Sequence, residues 1–271
     1  MITVICHIYN EEILLPYWLK HHVNIFDHGV IIDYASTDTS LDIVRQLAPN
    51  WKIVQSKHQT FDSFLIDQEV MEIERTISDW KMTLNCTEFI LKPDLSDYIR
   101  AFDVNFGNVI KAIKTNGVII VEKPDQIDNE LRDEPLIFQK TYGFFETDKC
   151  PIIVRKKPSV VEVGCQRQRL IHKHSDGAYG PGRHFTSRKF YSDPSLLLAW
   201  FGLAPFKINR QRKMQIYDRM SEKDKKRGEG TWVIAKPEEF DHFYECVLPY
   251  AEDLKQKNTY LNALRSFECT S

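Results

Sequence analysis

Four β-rich runs separated by amphipathic segments fill the first third of this chain, and that alternation constrains its fold more than any other feature. Residues 2–9 are β-rich and suit a buried parallel strand. Residues 30–33, 51–56 and 81–84 supply three more such runs. The first connection opens at Asn10-Glu11-Glu12, with acids in the first turn of a helix and Pro16 tolerable that early. It continues through Trp18, Leu19, Val23 and Phe26 and stops at Gly29. The second connection is capped by Ser36-Thr37-Asp38 and carries Leu41, Val44 and Leu47. The third is a helix over residues 61–78 that turns Phe64, Leu65, Met71, Ile73 and Ile77 toward the sheet. Strands alternating with helices predict right-handed βαβ units, hence an α/β fold with a mostly parallel twisted sheet flanked by helices.

The later part of the chain is less regular. A helix is expected over 96–114, a strand over 117–122 and an acidic loop over 125–135. Further strands are expected over 136–142, 151–156 and 160–163, and an apolar helix over 196–206. Residues 210–230 are highly charged, and 238–264 read as a C-terminal helix that can break at Pro249. The division this suggests is one domain over 1–206 and a charged, helical C-terminal extension over 207–271, packed on it.

Bulk properties exclude several classes of function. The length of 271 residues is ample for a proper core. With 42% hydrophobic and 27% charged residues the composition is that of a soluble globular protein. A net charge of −2 gives no overall attraction to nucleic acid or to an anionic membrane. No run approaches the roughly 18–20 apolar residues of a membrane span. The N-terminus has neither a basic leader region nor a small-residue cleavage site. Cys6, Cys86, Cys150, Cys165, Cys246 and Cys269 form no CxxC pair, so reduced thiols and a cytoplasmic location are expected.

Three polar segments fall at the carboxyl ends of the expected strands: Tyr9-Asn10-Glu11-Glu12, then Asp33-Tyr34-Ala35-Ser36-Thr37-Asp38, then Asn85-Cys86-Thr87-Glu88. One such tip is commonly just a helix cap. Three on one edge of an open sheet make a ligand crevice. Neither GxGxxG after the first strand nor GxxxxGK[ST] anywhere is present, so dinucleotide and P-loop sites are unsupported.

These tips, with Leu15-Pro16-Tyr17-Trp18-Leu19-Lys20-His21-His22 and the Asn85-x-Thr87-Glu88-Phe89 run, resemble the GT-A glycosyltransferases of family 2. The resemblance is to the branch with N-E…W…H, D-x-S-T-D and D-x-D-E-F motifs. It covers residues 2–91 strongly, with Arg169-x-x-His172 and Gly182-Arg183-His184-Phe185 as looser anchors. It implies a GT-A fold, a nucleotide-sugar donor, a glycan or other hydroxyl acceptor, and transfer with inversion. It also implies that Asp33 hydrogen-bonds the nucleobase, that Tyr9, Asn10 and Glu11 line the nucleotide, and that Asp38 orders the loop around it. The family's two metal-facing aspartates map to Asn85 and Thr87, which carry no charge, whereas a hard cation wants carboxylate oxygens. Two arrangements therefore stand open. In one, Mn²⁺ or Mg²⁺ is held by Glu88 and His184 with a phosphate oxygen. In the other there is no metal, and cationic side chains neutralise the leaving diphosphate.

The segment 167–188 supplies Arg167, Arg169, His172, Lys173, His174, Arg183, His184 and Arg188 among Gly177, Gly180 and Gly182. A solvated basic face is the plain interpretation. A lid whose Arg169, His172, Arg183 and His184 meet the diphosphate is the functional one. Zinc is disfavoured, because His172, His174 and His184 lack a cysteine pair at zinc-site spacing. The Arg210-Gln211-Arg212-Lys213 cluster reads as surface. A general base for the acceptor is sought among Asp128, Glu130, Asp133, Glu134 and Glu146, with Asp133 or Glu134 favoured. Two other functions fit less well. One is a non-catalytic binder of nucleotide or glycan that has lost D-x-D. The other is a sugar nucleotidyltransferase, which would want a basic Gly-rich loop where Asn10-Glu11-Glu12 stands.

Overall fold

The computed structural model describes residues 1–127, 129–146, 152–153, 160–161, 167–227 and 236–269. Asp128, Cys150 and Cys165, singled out above, lie outside the described residues.

The first half follows the alternation closely. β1 (Ile2–Ile8), α1 (Leu15–His22), β2 (His28–Asp33), α2 (Ser40–Leu47), β3 (Lys52–Gln55), α3 (Ser63–Glu74) and β4 (Trp80–Asn85) occur in that order. β1 is central, parallel to β2 on one side and β4 on the other, and β3 adds parallel to β2. Alternation along β1 divides its side chains between two layers. Ile2, Val4, Cys6 and Ile8 join Leu15, Trp18, Leu19 and Val44, while Ile5 joins Ile32, Ile66 and Val70 under α3.

Local chemistry sets the element ends. Helix α1 starts at Leu15 and not at Asn10, because Asn10 takes a left-handed φ of 50° and faces the neighbouring loop. Gly29 lies inside β2, where a Cβ would come within 2.0 Å of the Trp51 ring; it permits close packing and ends no helix. Asp62 caps α3 by accepting from the backbone amides of Phe64 and Leu65 at 3.1 and 3.2 Å. The buried face of α3 is Ile66, Asp67, Val70 and Glu74, while Phe64 and Leu65 are exposed. Of the residues expected to face inward, Ile73 and Ile77 pack against the core and Phe64 and Leu65 do not.

The second half departs more from expectation. After the polar tip come β5 (Glu88–Ile90), α4 (Leu95–Phe106), β6 (Ala112–Val121), a one-turn α5 (Leu136–Gln139) and β7 (Tyr142–Phe145). β8 (Ile152–Ile153) and β9 (Val160–Val161) pair antiparallel with each other. β10 (Leu170–His172) inserts antiparallel between β4 and β6. The stretch expected as an apolar helix over 196–206 belongs to β11 (Tyr191–Leu203), which runs parallel along β6 and antiparallel to β5. Its residues from Leu196 to Leu203 are all buried. A strand buried on both faces shows a continuous apolar run with no period to tell it from a helix. Residues 112–114, expected to end a helix, begin β6, and 136–139, expected as strand, form α5.

The chain closes with α6 (Phe206–Asp218), α7 (Glu222–Arg227), α8 (Pro237–Val247), β12 (Glu252–Asp253) and α9 (Asn258–Glu268). The strand order is β12-β7-β6-β10-β4-β1-β2-β3, with β11 on β6 and β5. Strands β3, β2, β1, β4, β6 and β11 all point one way, so the sheet is mostly parallel and flanked by helices. Leu254, Tyr260 and Leu264 lie in the same buried cluster as Ile2 and Leu84. The expected single C-terminal helix is thus two helices separated by a strand that pairs with β7. Among the described residues no helix is long and apolar enough to cross a membrane.

Candidate active site

A cavity of about 320 Å³ opens at the carboxyl edge of β1, β2 and β4. Its floor comprises His7, Ile8 and Tyr9 from β1 and its tip, Tyr34 after β2, and Asn85, Cys86 and Thr87 after β4. Phe61, Ser63, Ile66 and Asp67 bring in the start of α3, and Trp200 and Gly202 bring in β11. Six cationic side chains line it, Arg167, Arg169, Arg183, Arg212, Lys213 and Arg219, against two carboxylates, Glu11 and Asp67. A crevice with this excess of positive charge attracts anions.

Glu88 stands behind the wall and is fully engaged. Arg169 donates to it through Nε at 2.9 Å and Nη2 at 2.6 Å, with both side chains almost completely buried. The Asn85 backbone amide and side-chain amide donate to the same carboxylate at 2.9 and 3.2 Å. Arg183 pairs with Asp67, donates to Asn85 Oδ1 at 2.9 Å and lies 3.4 Å from His7 Nδ1. The turn Pro181–Arg183 that aims it holds Gly182 at φ 79° and Arg183 itself at φ 59°. A non-glycine residue in this left-handed region costs energy and persists when its surroundings fix it. Here Asp67 does so, accepting from both the Gly182 amide at 2.7 Å and the Arg183 guanidinium.

These facts decide the fit of a divalent cation. Every lone-pair direction of Glu88 is taken by a donor, Asn85 Oδ1 faces Arg183, and Thr87 offers only a hydroxyl. Among the described residues no three His, Cys, Asp or Glu side chains converge as a metal site would need. Glu88 is therefore an anchor for Arg169, which corrects its expected role as a metal ligand. His184, the other expected ligand, fails for a related reason. Its Nδ1 lies 3.0 Å from Arg169 Nη1 and its Nε2 3.5 Å from Arg167 Nη1, so both ring nitrogens face guanidinium donors. Burial, followed by the charges of Arg169, Arg167 and Arg183, holds its pKa well below the ordinary value. His7 is depressed in the same way by burial and by Arg183, Arg169 and Arg212. Both imidazoles are neutral at pH 7 and sit among guanidinium groups that repel a cation.

The remaining expected residues separate into those at the cavity and those beyond it. Tyr9 lines it and carries the Arg219 guanidinium stacked 3.9 Å above its ring. Glu11 lines it with its carboxylate accepting from Arg212 Nε and Nη2. Asn10 and Asp38 tie loops together: Asn10 Oδ1 accepts from the Thr37 amide at 2.8 Å, and Asp38 accepts from the Glu12 and Ser40 amides at 3.1 and 3.0 Å. They border a smaller hollow under α6, not the main cavity. Asp33 is buried, accepts from the Ser36 amide at 3.0 Å and does not line the cavity; Tyr34 stands there instead.

His172 is buried against Glu74 and Tyr179, each at 3.2 Å, away from the cavity. Asp133 is exposed and paired with Lys20 at 2.7 Å, and Glu134 is paired with Arg132. Neither reaches the cavity, which corrects their expected role as general base. Glu146 is the member of that acidic set that adjoins the wall, accepting from the Arg167 amide at 3.0 Å. Burial pushes its carboxyl up to about 7.

Several lining residues had no signal in the sequence. Arg212 and Lys213 were expected on the surface, yet with Ile216 and Arg219 they form the face of α6 that covers the cavity. Arg210 of that cluster pairs with Asp241, and Gln211 is exposed. Trp200, carrying Arg167 stacked 3.9 Å over its ring, lay in a stretch expected to be helical. A seven-residue recurrence of basic residues, Arg212 and Arg219, was the available hint of a helix face turned toward an anion.

No protein-family profile matches this chain, and no curated protein sequence matches it. Among solved structures it is similar to glucosyl-3-phosphoglycerate synthase from Mycobacterium tuberculosis, crystallised with Mn²⁺ and UDP-glucose. That match has 14% identity over 43% of this chain and 43% of that one, with a TM-score of 0.33. It is also similar to S. aureus TarS residues 1–349. The complex with UDP matches at 13% identity over 64% of this chain and 46% of that one, TM-score 0.34. A second TarS structure matches at 12% identity over 100% of this chain and 73% of that one, TM-score 0.37. The first two matches thus span less than half the length of the proteins matched.

Proposed function

We propose that this protein is a GT-A-like glycosyltransferase that moves a hexosyl or pentosyl group, with inversion, from a nucleotide-sugar to an acceptor hydroxyl. The observation that carries this reading is the cavity at the carboxyl edge of the parallel strands, walled by six cationic side chains against two carboxylates. Open α/β sheets bind ligands at that edge, and the leaving group of such a transfer is a diphosphate whose negative charge grows in the transition state. Preorganised donors aimed at growing charge are the strongest catalytic device of this kind. Arg183, oriented by Asp67 and Asn85, and Arg169, oriented by Glu88, supply fixed donors. They do here what a divalent cation does elsewhere. Glu146, with a proton affinity near neutrality, sits behind the wall on the Arg167 amide and does not line the cavity, so no general base is assigned.

The test is donor hydrolysis over UDP-, GDP-, CMP- and dTDP-sugars, with Mn²⁺ and with EDTA. Turnover with at least one donor, surviving EDTA, is the expected result. Arg183→Ala should then lower kcat by about 10²–10³ at saturating donor. Complete loss in EDTA restored by Mn²⁺ would overturn the metal-free reading. Nucleotide binding without turnover would favour a non-catalytic relative, and absence of both would end the glycosyltransferase reading.

A further inference from the structure

Lys213 is one of the six cations of the cavity, on its α6 face, and has no individual role so far. The other cations each have a partner that fixes them. Arg169 holds Glu88, Arg183 holds Asp67, Arg212 holds Glu11, Arg219 donates to the Tyr34 carbonyl at 2.6 Å, and Arg167 stacks on Trp200. Among the described residues the Lys213 ammonium has no acceptor. The residue lines the cavity while keeping some solvent exposure, and the charges of Arg167 and Arg212 act on its ammonium. A cavity-lining ammonium without an acceptor, repelled by two guanidinium groups, favours an anion beside it.

We propose that Lys213 is a phosphate-binding side chain of this cavity, gripping the ligand's diphosphate from the α6 wall. The inference rests on the cavity being a nucleoside-diphosphate site and adds the residue that completes its anion grip. Position along α6 supports it. Arg219 lies against Tyr9 and Tyr34, and six residues of helix place Lys213 about 9 Å from it along the axis. That is the order of the span from a nucleobase to its diphosphate.

A consequence follows for protons. Burial, then Arg167 and Arg212, against the pull of Glu11, lower the Lys213 ammonium to about 7. Farther along the walls the charged groups are Arg169, Arg183, Arg219 and Asp67, and the other titratable groups are His184, His7, Tyr9, Tyr34 and Cys86. In slightly alkaline solution Lys213 is therefore mostly neutral in the empty protein, and a diphosphate beside it must draw in a proton.

Calorimetry of UDP and GDP binding at pH 8.0, in buffers of different ionisation enthalpy, reads that proton directly. The terminal phosphate of either nucleotide is already ionised there, so uptake reports the protein. The native protein should take up close to one proton per nucleotide. Lys213→Met should abolish the uptake and weaken binding about tenfold to a hundredfold. Lys213→Arg, which stays charged, should bind within about threefold of native with no uptake. Native binding without proton uptake, or uptake that persists in Lys213→Arg because His7 or His184 supplies it, would overturn the role of Lys213 and leave the diphosphate site standing. Failure of the native protein to bind either nucleotide would overturn both.

Discussion

At the scale of single residues, the cavity is built on buried ion pairs, and Glu88 is the one on which most depends. It neutralises Arg169, fixes the Asn85 turn through two hydrogen bonds and holds β5 to α1, since its carbonyl accepts from Trp18 Nε1 at 3.0 Å. Breaking a buried pair by removing one partner typically costs about 3–5 kcal/mol, because the other charge is left unpaired. Glu88→Gln should therefore destabilise the fold by that amount in urea unfolding; a loss under about 1 kcal/mol would show that Arg169 finds solvent or another partner. The motif around Glu88 was legible in sequence, and its position next to Asn85 and Thr87 was read correctly as a sheet tip. Its partner was not legible, because Arg169 lies 81 residues away and meets it only through β10. The same holds for Arg183 and Asp67, which are 116 residues apart.

At the scale of elements, α3 and α6 form the two helical walls of the cavity, and their junction is a small set of backbone contacts. The Phe61 amide donates to the Arg219 carbonyl at 2.8 Å, and the Ser221 amide donates to the Phe61 carbonyl at 2.7 Å. Asp62, the N-cap of α3, also accepts from Ser221 Oγ at 3.2 Å, so one side chain serves both walls. Replacing an N-cap Asp by Ala costs about 1 kcal/mol. Asp62→Ala should lower stability by about that much and loosen nucleotide binding as well. Unchanged binding with lowered stability would separate the cap from the cavity. The α3 cap could be anticipated from sequence, but its junction with α6 could not, since no local pattern ties residue 61 to residue 219.

At the scale of the whole molecule, the fold buries histidines in neutral form. Burial holds His21 down to about 4, and His22, His7 and His184 are also depressed. In the unfolded chain each takes up a proton near 6.5. The unfolded state then binds more protons in acid, so the stability these groups contribute is present above pH 6.5 and lost as pH falls from there toward 4. For His21 alone the difference amounts to at most about 3 kcal/mol. Melting temperature should fall steeply between pH 6.5 and 4.5, and His21→Gln should flatten part of that slope; equal slopes in the two proteins would contradict it. What the sequence by itself determined was the parallel βαβ half of the sheet and the edge at which the cavity opens, because both are written in local periodicity and in tips a few residues long. Only the tertiary structure decided that 196–203 is strand, that β10 inserts between β4 and β6, that Arg183 and Arg169 stand where a metal was sought, and that α6 turns Arg212 and Lys213 inward. Each of those depends on pairing between residues far apart in the chain, where burial and charge neutralisation act across space and leave no period along the sequence.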